Sequence, residues 1–364
     1  MQEIPISSLV AIFGFIIGIV FGGIAQSTNF CTMGAISDIV LMGNWNRFRS
    51  WMLAIAIAIL FTQSFHNAEL IDLRNSIYLT PNLGWLGAII GGSLFGFGMT
   101  ISGGCGNKTL VRLGAGNLKS LVVFVTMGIF AYMTVRGLTG PLRLQMENLT
   151  NLDLTQLNIS TQGIPNFVSD IIGINLQSAR MISMTMITGG ILIFCFKDSN
   201  FRKSKESIIG GLVIGILIAL SWIVTGIIGY DDFEPTSLAS LTFVNPVGES
   251  IQYLMTFTGA TINFGIASVG GVVVGSFIMS KLRHEFEIES FTNPSDMVLH
   301  LIGAALMGVG GILALGCTVG QGITGMSTLA LSSILTLISI ISGCLFGIKY
   351  LEEGNILAAI RSIY

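Results

Sequence analysis

Charge is what this sequence has least of. Lys, Arg, Asp and Glu make up 10% of its 364 residues, against roughly 25% in an ordinary soluble domain. Too few ionisable groups are present to cover a water-exposed surface, and a net charge of −2 gives no electrostatic reason to expect nucleic acid or an anionic surface as a partner. Histidine is scarce, at three residues, and the five cysteines (Cys31, Cys105, Cys195, Cys317 and Cys344) contain no Cys-x-x-Cys pair. That excludes the usual zinc and iron–sulfur spacings, so neither a metal nor another cofactor is expected. All five lie in or beside apolar segments, which argues against a secreted disulfide framework. No Lys or Arg precedes the first apolar run, which follows Met1-Gln-Glu-Ile-Pro5. Without that basic region the run reads as a retained span rather than a secretory signal. A nucleotide-binding loop, a low-complexity tail and a soluble enzymatic domain are also lacking.

What is there is apolar and small. Hydrophobic residues reach 52% and glycines number 46, with a mean hydropathy of +0.80. In lipid, small residues let helix backbones approach. Gly14, Gly18 and Gly22 share one face of the first span, and Gly271/Gly275 and Gly343/Gly347 repeat the spacing. Runs long enough to cross, or nearly cross, a hydrocarbon core of ~30 Å fall at 9–27, 51–66, 84–102, 119–136, 180–196, 208–229, 262–280, 297–316 and 328–348. With the N-terminus outside and the C-terminus in the cytoplasm, 13 of the 17 basic residues, Arg47, Lys108, Arg112 and Arg361 among them, fall inside. Arg74, Arg136, Arg143 and Arg180 fall outside. This is the bias the positive-inside rule demands.

Two near-copies of one pattern lie 212 positions apart. Gly91 to Cys105 and Gly303 to Cys317 align without a gap and match at six of fifteen positions: Gly91/Gly303, Leu94/Leu306, Gly96/Gly308, Gly98/Gly310, Gly104/Gly316 and Cys105/Cys317. Four spans precede an odd fifth and four follow it, so the second half is expected upside down relative to the first, a recurrent transporter plan. The expected architecture is an all-α integral membrane protein of about nine transmembrane helices plus four short re-entrant segments, in two inverted repeats. Residues 1–136 form the first repeat, 137–206 a polar outer loop with the linker span, and 207–364 the second repeat.

The four re-entrant segments are 28–43, 103–118, 235–250 and 316–327, too short to cross and too apolar for ordinary loops. Backbone of this kind is tolerated at membrane depth only where protein or a watery cavity surrounds it. A short helix beginning at a glycine turn presents free N–H groups and the positive end of its dipole, which favours an anion. Cys105-Gly106-Asn107 and Cys317-Thr318-Val319 should sit at such starts, after Gly104 and Gly316. Asn107, Thr318 and Gln321 would offer neutral donors without the cost of a buried charge. Lys108 and Arg112 read either as attractors of an anion or as snorkelling cations that only set topology. Cys195 and Cys344, mid-helix with no polar neighbours in sequence, read as packing residues. Cys31 has no matching cysteine, since its ungapped counterpart is Ile228, yet Thr28-Asn-Phe-Cys31 has the same turn character. Thiols near helix N-termini are soft donors and suit reduced sulfur or selenium better than phosphate.

At Cys31-Thr-Met-Gly-Ala-Ile-Ser-Asp38, Gly104-Cys-Gly-Asn-Lys-Thr-Leu-Val-Arg-Leu-Gly114 and Gly316-Cys-Thr-Val-Gly-Gln-Gly-Ile-Thr-Gly325, the chain resembles the YeeE/YedE family of bacterial inner-membrane sulfur transporters. The resemblance implies thiosulfate uptake along a path of three thiols, here Cys31, Cys105 and Cys317, with the anion handed on through S–H hydrogen bonds. It also implies that any TusA-like cytoplasmic sulfur carrier would be a separate polypeptide. Two alternatives stay open: a membrane-embedded sulfurtransferase forming a cysteine persulfide, and a transporter of selenium species. The first is disfavoured because nucleophilic cysteines usually have a general base at hand, whereas His66, His284 and His300 are distant in sequence from the Gly-Cys turns.

Overall fold

The computed structural model describes residues 5–157, 159–231 and 236–355. Both chain ends, Arg361 from the cation count and Pro235 at the head of the 235–250 segment lie outside these residues. Among the described residues, nine helices are long and apolar enough to cross a membrane. In chain order, α1 (Ile6–Ser27) leads into the short α2 (Thr32–Met42), followed by α3 (Asn46–Asn67). Helix α4 (Trp85–Ile101) leads into the short α5 (Gly106–Gly114), and α6 (Leu118–Arg136) completes the first half. The polar stretch carries α7 (Gly140–Thr150) and α8 (Ile164–Ile172), then come α9 (Leu176–Phe196) and α10 (Ser199–Lys203). The second half holds α11 (Lys205–Ile223, extended by a π-helical turn to Ile228), α12 (Val244–Met255), α13 (Phe264–Leu282), α14 (Pro294–Leu313) and α15 (Leu331–Glu353). A second π-helical turn, Gly320–Gly325, joins α14 to α15. The apolar runs anticipated the spans closely: 84–102 is Trp85–Ile101 and 119–136 is Leu118–Arg136. At 328–348 the helix begins later, at Leu331, and runs on to Glu353.

Glycine explains which helices pair. On α1, Gly14, Gly18 and Gly22 are buried while Ile12, Ile16 and Val20 stay exposed, so the small face turns inward and the branched face outward. A Cβ on Gly18 or Gly22 would run into the carbonyls of Ser268 or Val272 on α13, and one on Gly271 or Gly275 into those of Phe15 or Ile19. Helices α4 and α15 meet in the same way through Gly96 and Gly343. The duplicated motif packs against itself. A Cβ on Gly98 would lie 2.6 Å from the Gly303 carbonyl, and one on Gly303 would lie 2.6 Å from that of Gly98. Gly91 and Gly310 face each other likewise, at 2.7 and 2.6 Å. Helices α4 and α14 therefore run antiparallel, with each glycine opposite the counterpart of its partner. Other pairings also occur twice with roles exchanged: α1 packs on α13 as α3 packs on α11, and α4 on α15 as α6 on α14.

The polar stretch folds over one end of the bundle. Its Leu152–Asp153 pairs antiparallel with Asn82–Leu83, in the register Asn82 to Asp153 and Leu83 to Leu152. Farther on, Leu331 donates its N–H to the Gln162 carbonyl and Ile164 to that of Leu329, pinning the stretch across the start of α15.

Candidate functional site

The three cysteines singled out in the sequence occupy one local structure, made three times. Each preceding helix ends on a residue in the left-handed region: Asn29 (φ 51°), Gly103 (φ 71°) and Leu315 (φ 56°). In each case that residue's N–H bonds three residues back and the next N–H bonds five back, the Schellman pattern. The bonds are Asn29 to Gln26 and Phe30 to Ala25, Gly103 to Thr100 and Gly104 to Met99, and Leu315 to Ile312 and Gly316 to Gly311. The cysteine follows two positions after the left-handed residue. Glycine takes that conformation freely and asparagine tolerates it. Leucine does so against a cost on the order of 1–2 kcal/mol.

Two of the three thiols then cap what comes next. The Gly34 N–H points at Cys31 Sγ at 3.5 Å, at the start of α2. Cys105 is the N-cap residue of α5 but accepts no backbone N–H there; its thiol turns to Asn107 instead. The Gly320 N–H reaches Cys317 Sγ at 3.3 Å, where the π-helical turn begins. In the two capped turns the donor stands three residues after the cysteine, the position an N-cap side chain normally serves. The thiols are held at three backbone N–H clusters, where the dipole favours negative charge.

These turns converge. Cys31 Sγ and Cys105 Sγ lie 3.9 Å apart, and both Cys105 and Cys317 are fully buried. Thr318, beside Cys317, lies near the Cys105 sulfur, and its hydroxyl is buried with no hydrogen-bond partner among the described residues. Asn107 accepts from the Cys105 thiol through Oδ1 at 2.6 Å, and its Nδ2 is buried with no partner. Two polar groups thus flank Cys105 with unused donor capacity, and such groups are costly to bury in a dry interior. The segment before α12 walls the place with buried Leu241 and Phe243; Thr324 donates to the Leu241 carbonyl at 2.6 Å, and a Cβ on Gly106 would touch Phe243.

Two cavities approach this centre from opposite ends of α4. One, of about 380 Å³, is lined by Asn29, Cys31, Met33 and Gly34 with the cations Arg47, Lys108 and Arg112. Lys108 Nζ is steadied by Asn29 Oδ1 at 3.0 Å, Arg112 by the Gly103 carbonyl at 2.8 Å and Arg47 by Asp38 at 3.4 Å. The other, of about 290 Å³, is a vestibule at the N-terminal end of α4. Gly84, Gly87, Ala314, Leu315 and Gln321 line it, with Arg143, Glu147 and Gln162 from the polar stretch and Ser332 and Thr336 from α15.

Gln321 is more committed than its sequence context suggested. Its Nε2 donates to the Ala314 carbonyl at 2.6 Å and its Oε1 accepts from Ser333 at 2.6 Å, so it fixes the third turn at the vestibule floor. Cys195 and Cys344 do have polar neighbours, contrary to expectation. Cys195 donates to the Arg49 carbonyl at 3.3 Å, and Thr100 donates to Cys344 Sγ at 3.3 Å. Sequence distance concealed both contacts. It also concealed His300, whose Nε2 lies 3.9 Å from where a Cβ on Gly103 would stand and whose Nδ1 is engaged by Asp296. Arg47, Arg143, Gln162, Ser332 and Thr336 were missed as site residues. Of these only Arg143 and Gln162 had a signal, their place in the polar stretch 137–206.

The family described as sulphur transport matches residues 27–346, from the first cysteine turn into α15. The chain belongs to this family. Two similar proteins are each 25% identical to it. The thiosulfate transporter TsuA of Escherichia coli strain K12 aligns over 334 residues, 86% of this chain and 88% of that protein. The thiosulfate transporter TsuA of Spirochaeta thermophila aligns over 333 residues, 91% of this chain and 96% of that one. In this sulphur transport chain the closest pair of thiols gives a direct check on the geometry. Peroxide removes two electrons and two protons from Cys31 and Cys105 and is reduced to water. Because the sulfurs need approach by only about 2 Å to reach bonding distance, a Cys31–Cys105 disulfide should form first. Peptide mapping under non-reducing conditions should find it ahead of any bridge to Cys195 or Cys344.

Proposed function

We propose that this chain carries thiosulfate, or a closely related reduced-sulfur oxyanion, through the bacterial inner membrane into the cytoplasm without cleaving it. The observation that supports this most is the set of three thiols at repeated backbone turns between two cavities at opposite ends of α4. The anion enters the vestibule from outside, passes Cys317, Cys105 and Cys31 in turn, and leaves through the cationic cavity. Each station offers an S–H donor and backbone N–H groups rather than a fixed buried cation. Hydrogen bonds to a charged group are worth about 1.5–3 kcal/mol each. That is enough to replace part of the hydration shell and too little to trap the anion, the balance a conduction path needs. Asn107 Nδ2 and the Thr318 hydroxyl, otherwise unpartnered, supply donors at the middle station. Soft thiols and the nearby sulfurs of Met33 and Met127 favour sulfane sulfur over the more strongly hydrated sulfate.

The exchanged glycine contacts of α4 and α14 support two inverted halves, residues 1–136 and 207–364, with 137–206 between them and the short segments re-entrant. In this arrangement the N-terminus is outside and the C-terminus inside. Arg47, Lys108 and Arg112 then face the cytoplasm, where a separate sulfur-carrier protein of the TusA-like kind receives the cargo. Lys108 acts by drawing the anion off Cys31. Lys108→Gln should therefore lower uptake several-fold, most strongly at low ionic strength where attraction between charges is least screened. Uptake equal to wild type at every salt concentration would make it a topology residue.

The deciding experiment is uptake of thiosulfate labelled on its outer sulfur into proteoliposomes containing only this chain. Intact labelled thiosulfate in the lumen is the expected result. Label held covalently on a cysteine, with sulfite released, would replace transport by sulfurtransferase chemistry.

A further inference from the structure

The vestibule contains more unused polarity than a passive mouth requires. Ser332 Oγ, Thr336 Oγ1 and Gln162 Oε1 are buried with no hydrogen-bond partner, and all three residues line this one cavity. Ser332 and Thr336 are 6% and 0% exposed and stand four apart on α15, so they share one face of that helix. They lie within the first turns of a 23-residue helix whose N-cap, Ala330, provides no side-chain acceptor. Arg143 on α7 is the cation among the lining residues. It is held from two sides, by Nε to the Thr134 carbonyl at 3.1 Å and by Nη1 to Glu147 Oε1 at 2.8 Å. Glu147 lines the same cavity, so the guanidinium charge is neutralised inside the space it faces.

Two hydroxyls, a guanidinium and a helix start around about 290 Å³ are hard donors, suited to the oxygens of a sulfonate-type head rather than to sulfane sulfur. We infer that the vestibule is a capture site for a tetrahedral oxyanion held by Ser332, Thr336 and Arg143, with Glu147 as the displaceable internal counter-ion that sets its affinity. This rests on the transport reading for its cargo but not for its chemistry. Because the donors recognise the oxygen-bearing end, sulfate and thiosulfate both bind here. Discrimination then falls to the thiols beyond Gln321. Sulfate is accordingly a competitor that enters the vestibule and goes no further.

The test is equilibrium binding of radiolabelled sulfate and thiosulfate to the whole protein in nanodiscs, where both faces are open. The wild type should bind both anions in mutual competition. The double variant Ser332→Ala/Thr336→Val should weaken both by on the order of a hundredfold, the loss of two hydrogen bonds to a charged group. Arg143→Gln should weaken both by at least about tenfold on the same basis, whereas Glu147→Gln should tighten both. Should the double variant fold poorly, the single variant Ser332→Ala, which removes one hydroxyl without added bulk, should weaken both about tenfold, and wild-type affinity in it would count against the site. Opposite signs at positions 143 and 147 separate ligand competition from a structural ion pair, whose loss moves both variants the same way. The inference is overturned if Glu147→Gln weakens binding like Arg143→Gln, or if the folded double variant retains wild-type affinity. Failure of the transport reading looks different: sulfate and thiosulfate bind with the expected variant pattern, but no thiosulfate reaches a proteoliposome lumen.

Discussion

Cys105→Ala should reduce thiosulfate uptake by on the order of a hundredfold while leaving the amount of folded protein nearly unchanged. Cys105 stands between the other two stations, 3.9 Å from Cys31 Sγ on one side and near Thr318 on the other. Alanine removes the donor and also releases Asn107 Oδ1 from its partner, so the anion would face an unpaired acceptor where it now meets a thiol. Losing about 1.5–3 kcal/mol of hydrogen bonding to a charge corresponds to one to two decades in rate or affinity, and the repulsive carbonyl oxygen pushes the loss to the upper end. The folding cost is modest, because the Cys105 side chain caps no backbone N–H of α5 and Gly103 still holds the turn. Cys105→Ser should keep more uptake than alanine, since the hydroxyl restores a donor though not a soft one. Cys317→Ala should behave like Cys105→Ala. Cys195→Ala and Cys344→Ala remove only the contacts to the Arg49 carbonyl and the Thr100 hydroxyl and should transport near the wild-type rate. Equal loss in all four variants, measured per folded molecule, would refute the assignment of the path.

How much of this was legible in the sequence depended on the range of the interaction involved. Spans are set by local hydropathy, so the nine helices were readable to within a few residues. Positions 91, 98, 303 and 310 were readable as a repeat because the packing constraint falls on a single residue type: at those crossings a backbone carbonyl lies where a Cβ would have to go. The equivalence of Cys31 with the other two cysteines was only half visible. Asn29, Gly103 and Leu315 adopt one conformation with three different side chains, and an alignment by residue identity cannot register a shared φ angle. Gln321 was readable as a polar residue at the turn, but not as one whose amide is taken by Ala314 and Ser333. The vestibule was hidden for a related reason. Ser332 and Thr336 are ordinary helix residues until Gln162, some 170 positions earlier in the chain, is laid across them.

Gly96→Leu should prevent assembly of the bundle rather than impair transport. At this position α4 crosses α15 so closely that any Cβ would overlap the Ile340 carbonyl oxygen, with the Cys344 N–H 2.8 Å away. Both obstacles are backbone, so no rotamer change relieves them, and the helices must move apart along their whole contact. Separation would also open the packing of Gly92 on Thr336 and Ser339, and of Gly343 on Ser93. In lipid, helix association draws on close packing without a hydrophobic drive between helices, so the lost contacts are not recovered elsewhere. Overpacking a tight interior costs about 1–3 kcal/mol even where side chains can yield, and a backbone collision belongs above that range. The control is Gly189→Leu on α9, where a Cβ meets nothing within 4 Å and leucine carries a higher helix propensity than glycine. Size-exclusion profiles and thermal unfolding in detergent should show Gly96→Leu aggregated or absent, and Gly189→Leu at least as stable as wild type. A folded, monodisperse Gly96→Leu protein would mean that α4 and α15 do not cross at this glycine. The line from the vestibule to the cationic cavity would then lose its frame, because Thr336 at one end and Thr100 before the Cys105 turn at the other are both aligned by that crossing.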